Sequence, residues 1–143
     1  MVENGIDQWD EKYPNKEIIL EDLKSKTYFV LEKHNIIVGG INIDKTQDKA
    51  YLTIPWKDTK GSFMVVHRLA VKKEFWKQKI GFKLMEFAEK LVKEKKLISI
   101  RLDTYSNNPL AINFYKKIGY SYLGKIHLKP NKNEYYCFEK IIQ

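Results

Sequence analysis

Apolar residues recur at Ile80, Leu84, Phe87, Ala88, Leu91 and Val92, the spacing of one buried helix face. Glu86 with Lys90 and Glu89 with Lys93 set i,i+4 charge pairs on the opposite face. Ahead of this helix, Ser62 to Val71 carries Phe63, Met64, Val65, Val66, Leu69 and Val71, apolar enough for the middle of a sheet. Behind it, Leu97 to Thr104 reads as another strand. Two strands joined through such a helix predict a parallel crossover, which places the helix start beside the carboxyl end of a central strand. Ligands of open α/β sheets bind there.

The rest of the chain extends this unit. Glu17 to Lys26 reads as a short helix. Tyr28 to Glu32, Ile36 to Ile43 and Ala50 to Ile54 read as strands of an antiparallel meander, separated by turn residues at His34-Asn35 and Asp44 to Asp48. A second helix is expected over Pro109 to Ile118, with final strands near Tyr120 to His127 and Glu134 to Ile141. With 143 residues and 43% hydrophobic content, the chain is sized for one domain, 1–143, around one core.

Composition excludes several classes of function. The longest apolar runs, such as Phe63 to Val66, are far below the roughly 20 residues that span a bilayer, and Met1 to Asn4 lacks a basic segment leading into an apolar one. A cytoplasmic protein is expected. Cys137 is the one cysteine, without a disulfide partner or a metal-ligand neighbour, and reads as a core thiol; no metal is expected. The net charge of +8 invites a nucleic-acid reading, yet only Arg68 and Arg101 among 26 basic residues are arginine. Readers of phosphates and bases favour arginine for its bidentate contacts, so the charge reads mainly as solvated lysine.

Two helix starts carry the chemistry. The turn Phe75 to Gly81 leads into the first helix, whose unpaired N–H groups and dipole suit a phosphate. In the second, Asn108 then Pro109 form a cap and first turn, Gly119 a stop, and Ala111, Phe114, Tyr115 and Ile118 share a face. On the residues alone, Asn108 reads first as a plain cap and Tyr115 as a plain core aromatic.

In combination and order, these segments resemble the GNAT superfamily of N-acetyltransferases over almost the whole chain. Val65 to Val71 is similar to its central strand, Phe75 to Leu84 to its pyrophosphate loop and following helix, and Ile100 to Thr104 to its next strand. Asn108 to Tyr120 matches the motif N-x-x-A-x-x-x-Y-x-x-x-G-[FY]. The resemblance implies an α/β (α+β) fold with a mixed, mostly antiparallel sheet flanked by helices, and acetyl transfer from acetyl-CoA to a primary amine. It further implies that the backbone of Leu69, Ala70 and Val71 holds the pantetheine arm in a splay between the central strands. The amides of Lys77, Gln78, Lys79, Ile80, Gly81 and Phe82 would hold the pyrophosphate. Asn108 would contact the pantetheine side, and Tyr115 would sit near the sulfur as the acid for the departing thiolate. Asp103 stands where several members carry a proposed base, with His67 as the alternative. By strand alternation Asp103 shares a face with Arg101 and Tyr105, so a structural salt bridge competes with the catalytic reading.

The chain departs from the family pattern in two places. The loop positions usually held by Gln or Arg, Gly and Gly or Ala are Trp76, Lys79 and Gly81, and a lysine where φ is positive carries a conformational cost. The family's first strand and longer first helix have little room before Gly5 to Asp10, so that strand is expected to be absent or supplied by another chain, as in a homodimer. Two readings stand beside the enzyme: a GNAT-like acyl-CoA-binding module without catalysis, and a basic nucleic-acid-binding protein.

Overall fold

The computed structural model describes residues 2–3, 6–8, 27–128 and 133–143. The helix expected over Glu17 to Lys26 lies outside them. Its elements are β1 (Val2–Glu3), β2 (Ile6–Gln8), β3 (Tyr28–Lys33), β4 (Ile36–Asp44), β5 (Phe63–Val71), α1 (Ile80–Glu94), β6 (Ser99–Tyr105), α2 (Pro109–Lys117), β7 (Ser121–Leu128) and β8 (Asn133–Ile141). Among the described residues the eight strands form one mixed sheet. Pairing is parallel between β5 and β6 and between β2 and β5, and antiparallel elsewhere.

The expected crossover is present. β5 and β6 run parallel, pairing only over Phe63–Ser99, Met64–Ile100 and Val65–Arg101, and then part. β4 covers the other flank of β5 as far as Val71. One expectation fails: Ala50 to Ile54 is not a strand but a 3₁₀ turn, Lys49–Thr53. The Asp48 carboxylate accepts from the Ala50 N–H at 2.9 Å, and its carbonyl accepts from the Tyr51 N–H at 2.9 Å. Such local capping offers the backbone a partner other than a strand. The meander therefore ends at β4, after a hairpin whose His34 and Asn35 both have positive φ, as a two-residue primed turn requires.

The sheet carries a core on each face. On one, Ile80, Leu84, Met85, Ala88 and Val92 of α1 and Ala111 and Tyr115 of α2 pack on Val66, Leu69, Val71, Ile100, Leu102 and Phe138. Gly39 lets α1 approach there, since a Cβ on it would lie 2.9 Å from the Ala70 carbonyl oxygen and 3.0 Å from Ile80 Cγ2. On the other face, Tyr51 and Ile54 cover Val65, Ile126 and Cys137. Both helices thus share one face, and the 3₁₀ turn closes the other.

Candidate functional site

The two faces meet where β5 leaves β6. Along β5 the register against β4 slips, with Asn42 opposite His67 and Gly40 opposite Ala70. Arg68 takes φ 48° at that slip. The slip is a β-bulge, which takes a residue out of the ladder and re-aims the side chains around it. Alternation resumes with Leu69 and Val71 toward the helices. Buried Asn42 braces the bulge: with its amide nitrogen 2.9 Å from the Thr27 carbonyl, its oxygen accepts from an Arg68 Nη at 3.2 Å.

Beyond the bulge, β2 pairs parallel with β5, Asp7 opposite Ala70 and Gln8 opposite Val71. Because β4 holds the other flank there, β2 lies on the flank that β6 has left. The splay assigned to a pantetheine arm therefore contains a short strand of the chain itself. A segment expected only as the family's early chain thus lies against two of the three backbone positions expected to hold the cofactor.

The helix start on that side is arranged for an anion. Lys79 has φ 59° and ψ 31°, the left-handed conformation that glycine adopts without strain. It takes the place of the family's middle glycine, as its sequence position predicts. The Lys83 N–H donates to the Lys79 carbonyl at 3.1 Å, so the amides of Ile80, Gly81 and Phe82 precede the first helical bond and have no acceptor within the helix. No acidic residue stands in the first turn. Of Lys77 and Gln78 only the backbone, in the 3₁₀ turn Lys73–Gln78, is described.

At the second helix start, the Asn108 side-chain oxygen accepts from the Ala111 N–H at 3.2 Å, the expected cap. Its amide nitrogen is buried without a hydrogen-bond partner among the described residues. A buried N–H donor left unpaired costs about 1–3 kcal/mol, and a bound carbonyl or hydroxyl at the head of α2 would remove that cost. The residues present thus fit a polar ligand here. α2 ends in a Schellman motif, with Tyr120 N–H to Tyr115 carbonyl at 2.9 Å and Gly119 N–H to Lys116 carbonyl at 3.1 Å, Gly119 having φ 102°. Tyr115 is buried against the rings of Phe114, Tyr120 and Phe138.

On the opposite face, Asp103 accepts from the Tyr51 hydroxyl at 2.5 Å. Burial raises the Asp103 pKa above the usual carboxylate value, against the lowering effects of the Tyr51 hydrogen bond and of His67; Asp48 adds a small raising effect. Burial, reinforced by Asp103, drives the Tyr51 phenol well above its ordinary value, so it remains a donor. The salt bridge considered between Asp103 and Arg101 does not form. The Arg101 guanidinium instead donates to Gln47 at 2.9 Å and to the Asp58 carbonyl at 2.7 Å, approaches Glu139 at 4.0 Å, and lies over the rings of Trp56 and Phe63. Glu139 accepts from the Lys57 N–H at 2.7 Å. Arg101 and Glu139 thus tie down the loop after the 3₁₀ turn, which leaves Asp103 to Tyr51.

His67 stands just before the bulge, on the side of Val65 and Asp103. Its Nε2 lies 3.0 Å from Asp44 Oδ1 and 3.1 Å from the Thr46 carbonyl. Neither Tyr51 nor Asp44 was a candidate from sequence. The only signal was that Asp44 and Tyr51 fall in or next to a turn, and their partners stand 23 and 52 residues further along. Among the described residues no His, Cys, Asp and Glu cluster could hold a metal ion, and no helix is long and apolar enough to cross a membrane.

Comparison with known proteins gives this geometry a context. A family model described as the Acetyltransferase (GNAT) family matches residues 3–120. The chain is 24% identical over 142 residues to the uncharacterized N-acetyltransferase YesJ of Bacillus subtilis (strain 168), covering 98% of this chain and 76% of that one. It is 27% identical over 124 residues to the spermidine N(1)-acetyltransferase of Thermoplasma acidophilum, covering 82% and 68%. The fold matches the crystal structure of the PaiA N-acetyltransferase from Thermoplasma acidophilum in complex with coenzyme A, with TM-score 0.65 and 20% identity over 92% of this chain and 74% of that one.

Proposed function

Because the chain belongs to the Acetyltransferase (GNAT) family, we propose that it transfers the acetyl group of acetyl-CoA to a primary amine by direct attack. The observation that carries this reading is the buried Asn108 amide at the head of α2, which has no hydrogen-bond partner among the described residues, inside the segment that matches the family motif. In this reading Asn108 donates to the pantetheine arm, which pairs with Leu69, Ala70 and Val71. The amides of Lys77 to Phe82 hold the pyrophosphate, with those of Ile80, Gly81 and Phe82 aligned by the helix dipole.

The chemistry follows from the two faces. An amine with pKa near ~10 is mostly protonated at neutral pH, so a proton must leave before its nitrogen can attack the thioester carbon. The new C–N bond puts negative charge on the acetyl oxygen, which a backbone N–H at the bulge stabilises. The C–S bond then breaks and Tyr115, on the helix side, gives a proton to the departing thiolate. His67 and Asp103, on the other face, attend the entering amine.

CoA release from acetyl-CoA, followed with a thiol reagent against spermidine, an aminoglycoside and peptide amines, tests the reading. At least one amine is expected to turn over, with Tyr115→Phe slower at nearly unchanged acetyl-CoA affinity. Binding of acetyl-CoA without release on any amine would support a second reading, a binding module. Lys79 in left-handed conformation where the family pattern has glycine favours it. Failure to bind acetyl-CoA would sink both.

A further inference from the structure

We propose that His67, held by Asp44, is the group that takes the proton from the incoming amine; this rests on the acetyl-transfer reading above. Both neighbours of His67 Nε2, the Asp44 carboxylate and the Thr46 carbonyl, can only accept. Nε2 must therefore carry the ring hydrogen, which leaves Nδ1 as a lone pair with no hydrogen-bond partner among the described residues. A base needs such a fixed tautomer with an uncommitted lone pair. The contacts of Asp44 and Thr46 hold the ring on the Nε2 side, and the His67 side chain is 28% exposed.

Asp103, the base offered by its strand position, is placed differently. Its Oδ2 is occupied by Tyr51, and a carboxylate is a weaker base toward an ammonium ion than an imidazole is. The His67 charge instead lowers the Asp103 pKa against the effect of burial. The charged groups near the imidazole are Asp44 on β4, in contact with it, and Asp103 on β6, which interacts with it by charge and is itself bonded to Tyr51 and near Asp48, with Arg68 on its own strand turned to Asn42. An imidazolium formed here stands against the Asp44 carboxylate. Asp44 is a positioning residue, because it fixes the tautomer and then balances the new charge.

The step balances without a further reactant. The ammonium N–H bond breaks and its proton joins Nδ1. The freed pair on nitrogen attacks the acetyl carbon, the C–S pair leaves with sulfur, and sulfur takes the Tyr115 proton. The ammonium proton passes from Nδ1 to solvent, the second N–H proton of the acylated nitrogen then joins Nδ1, and that proton returns through solvent to the Tyr115 phenolate, so that one proton is released overall. His67 precedes Leu69 by two residues, about 7 Å along a strand, so base and thioester site lie on the same short stretch of β5.

Two measurements on the full chain test this. With only three histidines in the sequence, long-range ¹H–¹⁵N spectra at neutral pH resolve each ring; His67 is expected with its proton on Nε2, and Asp44→Asn is expected to admit the other tautomer. In the CoA-release assay, with the amine that wild type uses best, His67→Gln is expected to lose about 10²–10⁴-fold in kcat/KM. Asp44→Asn is expected to lose less, and both should keep the wild-type acetyl-CoA affinity. His127→Gln, exposed on β7, serves as the control with unchanged rate. A wild-type His67 protonated on Nδ1, or a folded His67→Gln that turns over like wild type, overturns the proposal alone. A wild type that binds acetyl-CoA but acetylates nothing overturns both the proposal and the reading beneath it.

Discussion

The Tyr51–Asp103 hydrogen bond allows a prediction with a worked size. Tyr51 is 1% exposed and its hydroxyl is 2.5 Å from Asp103 Oδ2, so Tyr51→Phe removes one donor and leaves a half-buried carboxylate without it. A hydrogen bond to a charged group contributes about 1.5–3 kcal/mol. With unfolding entropies typical of a domain this size, each kcal/mol corresponds to about 3 °C, so Tm at pH 7 should fall by about 5–10 °C. The pH dependence separates this from simple loss of packing. Burial already raises the Asp103 pKa, so the stability due to this group is full below the unfolded carboxylate value and is lost as pH rises through the folded one. Removing the Tyr51 donor raises the folded value further, which widens the gap between variant and wild type near pH 7 and closes it on acidification. Thermal unfolding of wild type, Tyr51→Phe, Asp103→Asn and the double variant at pH 7 and about pH 4 measures this. A coupling of about 1–2 kcal/mol at pH 7 is expected. A loss equal at both pH values, or one unaffected by Asp103→Asn, would mean that Tyr51 stabilises the fold by packing and not through Asp103.

Three further outcomes follow. Lys79 pays for a left-handed conformation at φ 59°, so Lys79→Gly should stabilise the fold by about 0.5–1 kcal/mol in thermal unfolding; a loss would show that the lysine is held there by favourable contacts. Burial pushes the Cys137 thiol up to about 12, so it should resist alkylation at pH 8 in the native protein and react once unfolded. Rapid native alkylation would contradict the core placement. A ligand paired with Ala70 and Val71 must displace β2, so removing residues 1–8 should tighten acetyl-CoA binding about tenfold. Unchanged or weaker binding would mean that strand and cofactor do not compete.

Much of the scaffold was legible in the sequence because its signals are local. The stripe from Ile80 to Val92 marked α1, and Asn108, Pro109 and Gly119 marked both ends of α2. The apolar run before α1 marked β5. Phe87 belongs to the stripe but stays 38% exposed, its ring resting on Phe29 at 4.8 Å, because it lies at the border of the buried face. Ala50 to Ile54 misled because β-rich residues followed an Asp whose side chain caps the turn, and capping outweighed propensity over so short a run. The polar partners were not legible. Which acid meets His67, which phenol meets Asp103, and that Arg101 turns to Gln47, Asp58 and Glu139 depend on strand register and on the bulge at Arg68. Those are set by tertiary packing. At the altered loop Lys79 takes positive φ, as its place in the family pattern predicts.

In the proposed function this fold holds acetyl-CoA between β5, α1 and α2 despite Lys79 in place of glycine. Calorimetric titration of the full chain with acetyl-CoA tests it most directly. Saturable one-to-one binding is expected, weakened in Asn108→Ala, which loses the buried side-chain amide that has no hydrogen-bond partner among the described residues. Absence of binding at millimolar acetyl-CoA by a folded wild type, or an Asn108→Ala that binds as tightly, would contradict it.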